Sequence, residues 1–292
     1  MTGAQLPDHA FALPDAELLA ITGPDASTFA QAQFTNDVDA LADGQWHWNG
    51  WLDAKGRLQA LFGLLREDDQ RLLAWLPAGG AGTLAVALSR FRFRSKVQIQ
   101  PDTARTLVAV RGEASPGPGV LPLPADAQLG PRHLRLVAST VAPGDRVAVD
   151  AWHAADLRMG LPWLRPGGVA SGRFVPQWLG LERLPALSLR KGCYPGQEIV
   201  ARIHYLGQSR RAPALVAGAG AAPEGGWRVL DDAGRDLGEL ADAVADGRGG
   251  WLALAALAGG GTAPVAAVAG GEEARPAGVL DAPHAPSASD SP

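Results

Sequence analysis

The chain has 292 residues, a formal net charge of −4, 47% hydrophobic residues and one cysteine. That length suits two or three domains with buried cores, and the lone cysteine excludes an internal disulfide and any metal site built from several cysteines of one chain. The acidic balance does not point to nucleic acid, whose phosphates are met by a concentrated positive face, although a local basic patch stays open.

The N-terminus has no basic and apolar leader, so no signal peptide is expected. No run of about 18 apolar residues occurs, so no membrane span is expected either. Together with the single cysteine this points to a reducing, cytoplasmic setting. Residues 12–38 read as a strand, LLAITG, followed by a helix for which Asp25 and Ser27 offer capping side chains. GQWHWNGWL then alternates as a strand, DAKG (53–56) is a turn, and RLQALFGLL and RLLAWLP continue as strands. Residues 80–91 read as a helix and 95–100 as a strand, completing an antiparallel α+β unit over 1–104. A second α+β unit is expected over 105–209. Its strands are TLVAVRG and HLRLVAS, separated by a Pro-rich surface loop, SPGPGVLPLPAD (115–126). RVAVD then leads into a helix, AWHAADLRMGLP (151–162), with Trp152, Ala155 and Met159 on one face. Residues 165–197 form a long Gly- and Pro-punctuated segment. From 210 to 281 short strands and the turn DDAG predict a small β-barrel, and 282–292 a disordered tail.

The stretch RKGCYPGQEIVARIHYLG (190–207) concentrates chemistry that the rest of the chain lacks. Arg outnumbers Lys 23 to 3, a sign of GC-rich coding, and the types such coding disfavours (Phe, Tyr, Met, Ile, Asn, Lys) total 20. A 15-residue window should hold about one of these, yet residues 191–205 hold five. Cys193 follows Arg190, Lys191 and Gly192, with Tyr194 beside it. Gly196, Gln197 and Glu198 open a helix that continues through Arg202. Neighbouring cations and a helix N-terminus favour thiolate chemistry, and the glycines let backbone turn and approach a ligand. The alternative is a small buried cysteine. No metal-ligand spacing and no phosphate loop occurs elsewhere, so no stably bound metal is expected.

KGCYPGQEIVAR (191–202) resembles the signature of the YgfZ family. That family is the folate-binding, iron–sulfur-associated branch of the superfamily that includes the glycine-cleavage T protein. ITGPDASTFAQAQFTNDV (21–38), LDAKGR (52–57), FRSKVQI (93–99) and MGLPW…GRFVPQWLGLE (159–182) resemble further family blocks. Lys55, Lys96 and Lys191, all the lysines in the chain, fall inside these blocks. The resemblance implies a fold in which two antiparallel-sheet α+β units ring a central folate cavity, with a C-terminal β-barrel attached.

It further implies a tetrahydrofolate-binding accessory protein for iron–sulfur cluster assembly or repair, supporting tRNA modification indirectly, with iron–sulfur client or assembly proteins as partners. Direct nucleic-acid and membrane partners are not expected. Cys193 maps to the family's functional thiol and Lys191 lies beside it. Trp152 maps to a tryptophan associated with the pterin, with Gln177 near it; a core role for Trp152 is the alternative. Arg190, Lys191 and Arg202 offer charge to the folate's glutamate tail, and Gly192, Tyr194, Gly196, Gln197 and Glu198 shape the loop. A second family tryptophan corresponds to Ala16. Arg158 stands near where the aminomethyltransferase branch has an acidic residue. A folate-dependent aminomethyltransferase or demethylase, and a scaffold with a vestigial cavity, remain as alternatives.

Overall fold

Alternating buried side chains set the first sheet. The computed structural model describes residues 9–138, 141–207, 209–259, 265–271 and 273–280; the tail expected to be disordered lies outside them. After a short strand β1 (Ala10–Ala12), the chain forms β2 (Glu17–Thr22), α1 (Ala26–Gln33), β3 (Trp46–Leu52), β4 (Leu58–Asp68), β5 (Arg71–Leu76), α2 (Ala81–Ser89) and β6 (Gln98–Pro101). The strands pair antiparallel in the order β3-β4-β5-β2-β6. Both faces are covered. Leu19, Ile21, Phe62, Leu64 and Leu72 meet α1 and α2. Leu18, Ala20, Leu61, Leu65, Leu73 and Trp75 face the other way, into a central cluster. The period-two geometry of a strand explains this split.

Two local expectations change here. Asp25 sits at the N-cap of α1, but its carboxylate makes no capping bond. It accepts instead from the Lys96 backbone N–H at 2.7 Å, and Ser27 donates to the Asp69 carbonyl. The strand expected from residue 95 begins at Gln98, because Ser95 N–H closes a turn on the Arg92 carbonyl.

The second sheet contains β7 (Thr106–Arg111), β8 (Val120–Asp126) and β9 (Gly130–Val137), in the order β1-β7-β9-β8. The N-terminal strand β1 thus pairs with β7 rather than with the first sheet. The segment read as a Pro-rich loop is half strand. Pro122 and Pro124 are tolerated because β8 is an edge strand, where missing donors cost little. α3 spans Arg146–Arg158, so RVAVD is its first turn and not a lead-in. The reason is Asp145, whose carboxylate accepts from the Ala148 N–H at 2.7 Å and caps the helix there.

A 3₁₀ turn (Pro176–Leu179) interrupts the long segment before α4 (Gln197–Leu206). Then β10 (Arg211–Ala219), β11 (Arg228–Leu230), β12 (Asp236–Ala245), β13 (Gly250–Ala258), β14 (Ala267–Gly270), β15 (Glu273–Pro276) and β16 (Gly278–Val279) make a seven-stranded barrel-like sheet. On β13, Trp251, Ala253, Ala255 and Leu257 fill the barrel. Leu252, Leu254 and Ala256 point outward into the central cluster that the first two units share. That cluster is where the inner faces of all three parts converge.

Candidate functional site

The site begins with a short polar segment of the first unit. Thr35 is fully buried; its hydroxyl donates to the Ala186 carbonyl at 2.7 Å and accepts from the Gly50 N–H at 2.7 Å. Ser188 N–H donates to the Thr35 carbonyl, and the Asn36 amide donates to Pro185 and Trp48 carbonyls. Asn49 orders this segment from below, accepting from the Asn36 N–H and donating to His47 Nδ1. His47 Nε2 then donates to the Asp37 carbonyl at 3.1 Å. Burial lowers the His47 pKa, which favours the neutral ring this arrangement requires.

Lys191 completes the join. Its ammonium donates to the Phe34 carbonyl at 2.6 Å and the Asn36 carbonyl at 2.9 Å. Phe34 is the C-cap of α1, where carbonyls lack helical partners and the dipole favours a cation. The side chain is buried, and desolvation pushes its pKa down to about 8 despite the nearby charges of Asp37 and Asp39. Lys55 and Lys96 are exposed, so of the three lysines only this one is committed to internal bonds. Tyr194 packs its ring 5.3 Å from the ammonium. Burial, with the charge of Glu182, raises the phenol to about 12. Its hydroxyl is buried without a partner.

Between these two anchors the chain is outside. Gly192 and Cys193 are exposed, and Cys193 is a free thiol. Gly196 ends the loop as the left-handed N-cap of α4, with φ of 77°. A Cβ there would lie 2.5 Å from the Asp53 carbonyl oxygen and 2.7 Å from Gly56 Cα. The DAKG turn therefore seats directly on the start of α4. Asp53 is occupied in that turn, accepting from the Lys55 and Arg57 N–H groups.

Of the expected site residues, the structure gathers Lys191, Tyr194, Gly196, Gln197 and Gln177 around the start of α4. Gln177 lies in the 3₁₀ turn and donates to Glu182 and to the Val200 carbonyl, both at 3.0 Å; its amide oxygen is buried without a partner. It lines a cavity of about 260 Å³ shared with His204 and Arg211. Arg190, Glu198 and Arg202 are exposed, and among the described residues they make no ion pair. Trp152 stands apart. It is 1% exposed on α3, with Phe11 edge-on at 6.2 Å and the Arg132 guanidinium 5.1 Å from its ring. In this arrangement neither ring face is open to solvent.

Some polar groups were not foreseen. Arg132 pairs with Asp156 at 2.6 Å in full burial, and Trp163 Nε1 donates to the same carboxylate. Arg158 is held by Asp126 through two bonds of 2.8 Å. His153 stacks on Trp163 at 4.1 Å, and Asp242 of the barrel accepts from the Trp163 N–H and pairs with His153 at 2.6 Å. These three border a cavity of about 570 Å³ lined by all three parts of the molecule. The one available sequence signal was polar residues interrupting the apolar face of α3; their partners are too distant in sequence to read. Among the described residues no group of three or more His, Cys, Asp or Glu is placed to hold a metal, and no helix is long and apolar enough to cross a membrane.

No family model matches the chain. Among solved structures, it is similar to the glycine cleavage system aminomethyltransferase T from Bartonella henselae, with a TM-score of 0.64 at 16% identity. The match covers 94% of this chain and 85% of that one. The fold is T-protein-like. Two α+β units and a C-terminal barrel-like sheet, the architecture expected from the signature blocks, follow one another in this chain over nearly the whole length of that match.

Proposed function

We propose that this chain is a tetrahydrofolate-binding accessory protein that presents the Cys193 thiol to iron–sulfur client or assembly proteins, supporting tRNA modification indirectly. The observation that carries the reading is the mounting of the thiol. Cys193 is exposed on a loop fixed on one side by the buried Lys191 and on the other by Gly196 against the DAKG turn. Lys191 is then a positioning residue rather than a reacting one, because its buried ammonium is held by two backbone carbonyls.

The fit to a reduced folate is tested by buried groups that lack partners. Trp46 Nε1, Trp75 Nε1 and the Tyr194 hydroxyl belong to the central cluster, and the Gln177 amide oxygen lies beside it. Buried donors and acceptors normally find partners. Unpartnered donors and acceptors are what a heteroaromatic ring rich in N–H and C=O groups, such as a pterin, would satisfy. Trp152 does not fit as the stacking partner. A bound reduced folate would supply a carrier for a one-carbon unit; the protein's own part is to bind it and to hold the thiol in the open. Arg190 and Arg202 are free for the carboxylates of a glutamate tail.

The test is anaerobic calorimetric titration with tetrahydrofolate. Trp152→Ala would perturb the core, so the informative variant is Tyr194→Phe. It deletes a buried, unpartnered hydroxyl, which leaves the apo fold as stable or more stable by up to about 1 kcal/mol. Micromolar binding weakened several-fold in Tyr194→Phe supports the reading; unchanged affinity removes Tyr194 from the site, and no heat with the wild type ends the folate proposal. Separately, Cys193→Ala should leave stability within about 0.5 kcal/mol of wild type yet lower cluster-enzyme activity in cells. Full activity with that variant would end the thiol role. Turnover of an N-methylated amine with tetrahydrofolate would favour the aminomethyltransferase or demethylase reading.

A further inference from the structure

The segment RFRFRSK (90–96) follows α2 and carries Arg90, Arg92, Arg94 and Lys96 without one acidic residue. In a chain of net charge −4 this is a concentrated positive region. All four cations are exposed, and among the described residues none of them forms an ion pair. On the same unit Arg66 and Arg71 are instead paired, with Asp43 at 3.0 Å and Glu67 at 2.6 Å. The Asp25 carboxylate beside the segment accepts from the Lys96 backbone N–H at 2.7 Å rather than from a side-chain cation. Arg92 makes one long contact, 3.5 Å, to the Val97 carbonyl.

Two aromatic rings are set between these charges. Phe91 is 38% exposed and braced edge-on against Trp51 at 6.0 Å. Phe93 is 88% exposed, and among the described residues it is the one non-glycine in the left-handed region, with φ of 42°. An apolar ring held out in water on a disfavoured backbone is not explained by folding, and such outliers cluster at binding surfaces. Phe93, Arg92 and Lys96 line a concavity of about 520 Å³ together with Gly23 and Pro24. The concavity has a rigid base: the Gly23 N–H donates to Gln70, and a Cβ on Gly23 would lie 2.2 Å from the Lys96 carbonyl oxygen.

We propose that this patch binds a single-stranded nucleic-acid segment, with a base stacked on Phe93 and phosphates on the surrounding cations. Charge complementarity selects a polyanion. Three of the four cations are arginines, whose planar forks match phosphate oxygens. An exposed ring in a basic cleft is how single strands are held without sequence preference. The exposed ring borders a concavity that Arg92 and Lys96 also line, so a base stacked on it brings its own phosphate against those cations. The surface was not foreseen from the overall acidic composition, because charge of one sign over seven residues is diluted in the whole-chain balance.

The test is fluorescence anisotropy of the full chain with a labelled oligothymidylate of about ten nucleotides. Binding is expected at about 50 mM salt and should weaken steeply by about 200 mM, with a log–log slope near −0.7 per phosphate contacted. Phe93→Leu keeps the bulk and apolarity but not the stacking face, so it should weaken binding roughly 5- to 100-fold. The double variant Arg92→Gln, Arg94→Gln should flatten the salt slope. Both lie at exposed positions, and unchanged melting temperatures would confirm folded protein. No anisotropy change at low salt overturns the proposal. So does equal binding of polyglutamate, which would mark an acidic-protein site. Binding to anionic vesicles without oligonucleotide binding, or a dimer dissolved by Phe93→Leu, overturns it as well.

Discussion

Lys191 shows how one side chain can be legible as important and misread in role. Its rarity in an arginine-biased chain and its place in the signature marked it as part of the chemistry. The structure uses its three-proton head, at the end of a thin stem, to reach two carbonyls in a space an arginine fork would not enter. Replacing it with methionine should cost about 1–3 kcal/mol, because two buried acceptors lose a donor. The pH dependence follows from its lowered pKa. Between about 8 and 10.5 the unfolded chain holds a proton that the folded chain has released, so Lys191 adds stability as pH rises through that window. Above about 10 Tyr194 opposes it, since the unfolded phenol ionises while the folded one stays neutral to about 12. Urea midpoints of wild type and Lys191→Met, compared at pH 7.5 and 9.5, should diverge in favour of the wild type at the higher pH. A constant or shrinking gap would show that the ammonium does not titrate in this window.

At the scale of elements, the start of α4 is built by two backbone approaches. Gly196 and Gly207 flank the helix in the same left-handed conformation, but only Gly196 is crowded. An alanine at either position meets the conformational cost of about 1 kcal/mol. At Gly196 the added methyl would also strike the Asp53 carbonyl and Gly56, forcing the DAKG turn away from the cysteine loop. Gly196→Ala should therefore lower stability by more than twice the loss in Gly207→Ala, and should speed alkylation of Cys193 as its loop loosens. Equal losses, measured by thermal melts, would mean that the turn yields freely. A helix boundary was legible where its cap is local, as at Gly196. The start of α3 was missed, because RVAVD read as a lead-in and Asp145 caps the helix before it, and β8 was missed because its prolines suggested a loop.

Over the whole molecule, the three parts share an apolar cluster and are tied by polar contacts that cross between them. Asp242, on β12 of the barrel, holds both His153 and the Trp163 N–H of the second unit. Asp242→Ala leaves the N–H without its acceptor and should cost about 1–3 kcal/mol. The effect belongs to the joint, so the second unit and the barrel should separate into two unfolding transitions in calorimetry, or the single transition should broaden. A sharp transition merely shifted down would show that the shared cluster alone couples them. The buried Arg132–Asp156 pair instead joins β9 to α3 inside the second unit. Losing the acid there strands a charge and should cost about 3–5 kcal/mol.

The periodicities of 12–100 and 210–258, the turn at DAKG, the helix opened by Gly196 and the signature around Cys193 were all set by neighbours in sequence, because alternation, capping and turn chemistry act over a few residues. From these the layered α+β plan with a barrel was legible. Which groups meet across the chain was not. Thr35 and Ala186 are 151 residues apart, and Phe34 and Lys191 are 157 apart. The covering of Trp152 by Phe11 depends on β1 crossing to the second sheet. Burial and hydrogen-bond completion are decided by whatever the folded chain brings alongside. The exposure of Cys193 and Phe93, and the enclosure of Lys191 and Trp152, were therefore settled only in three dimensions.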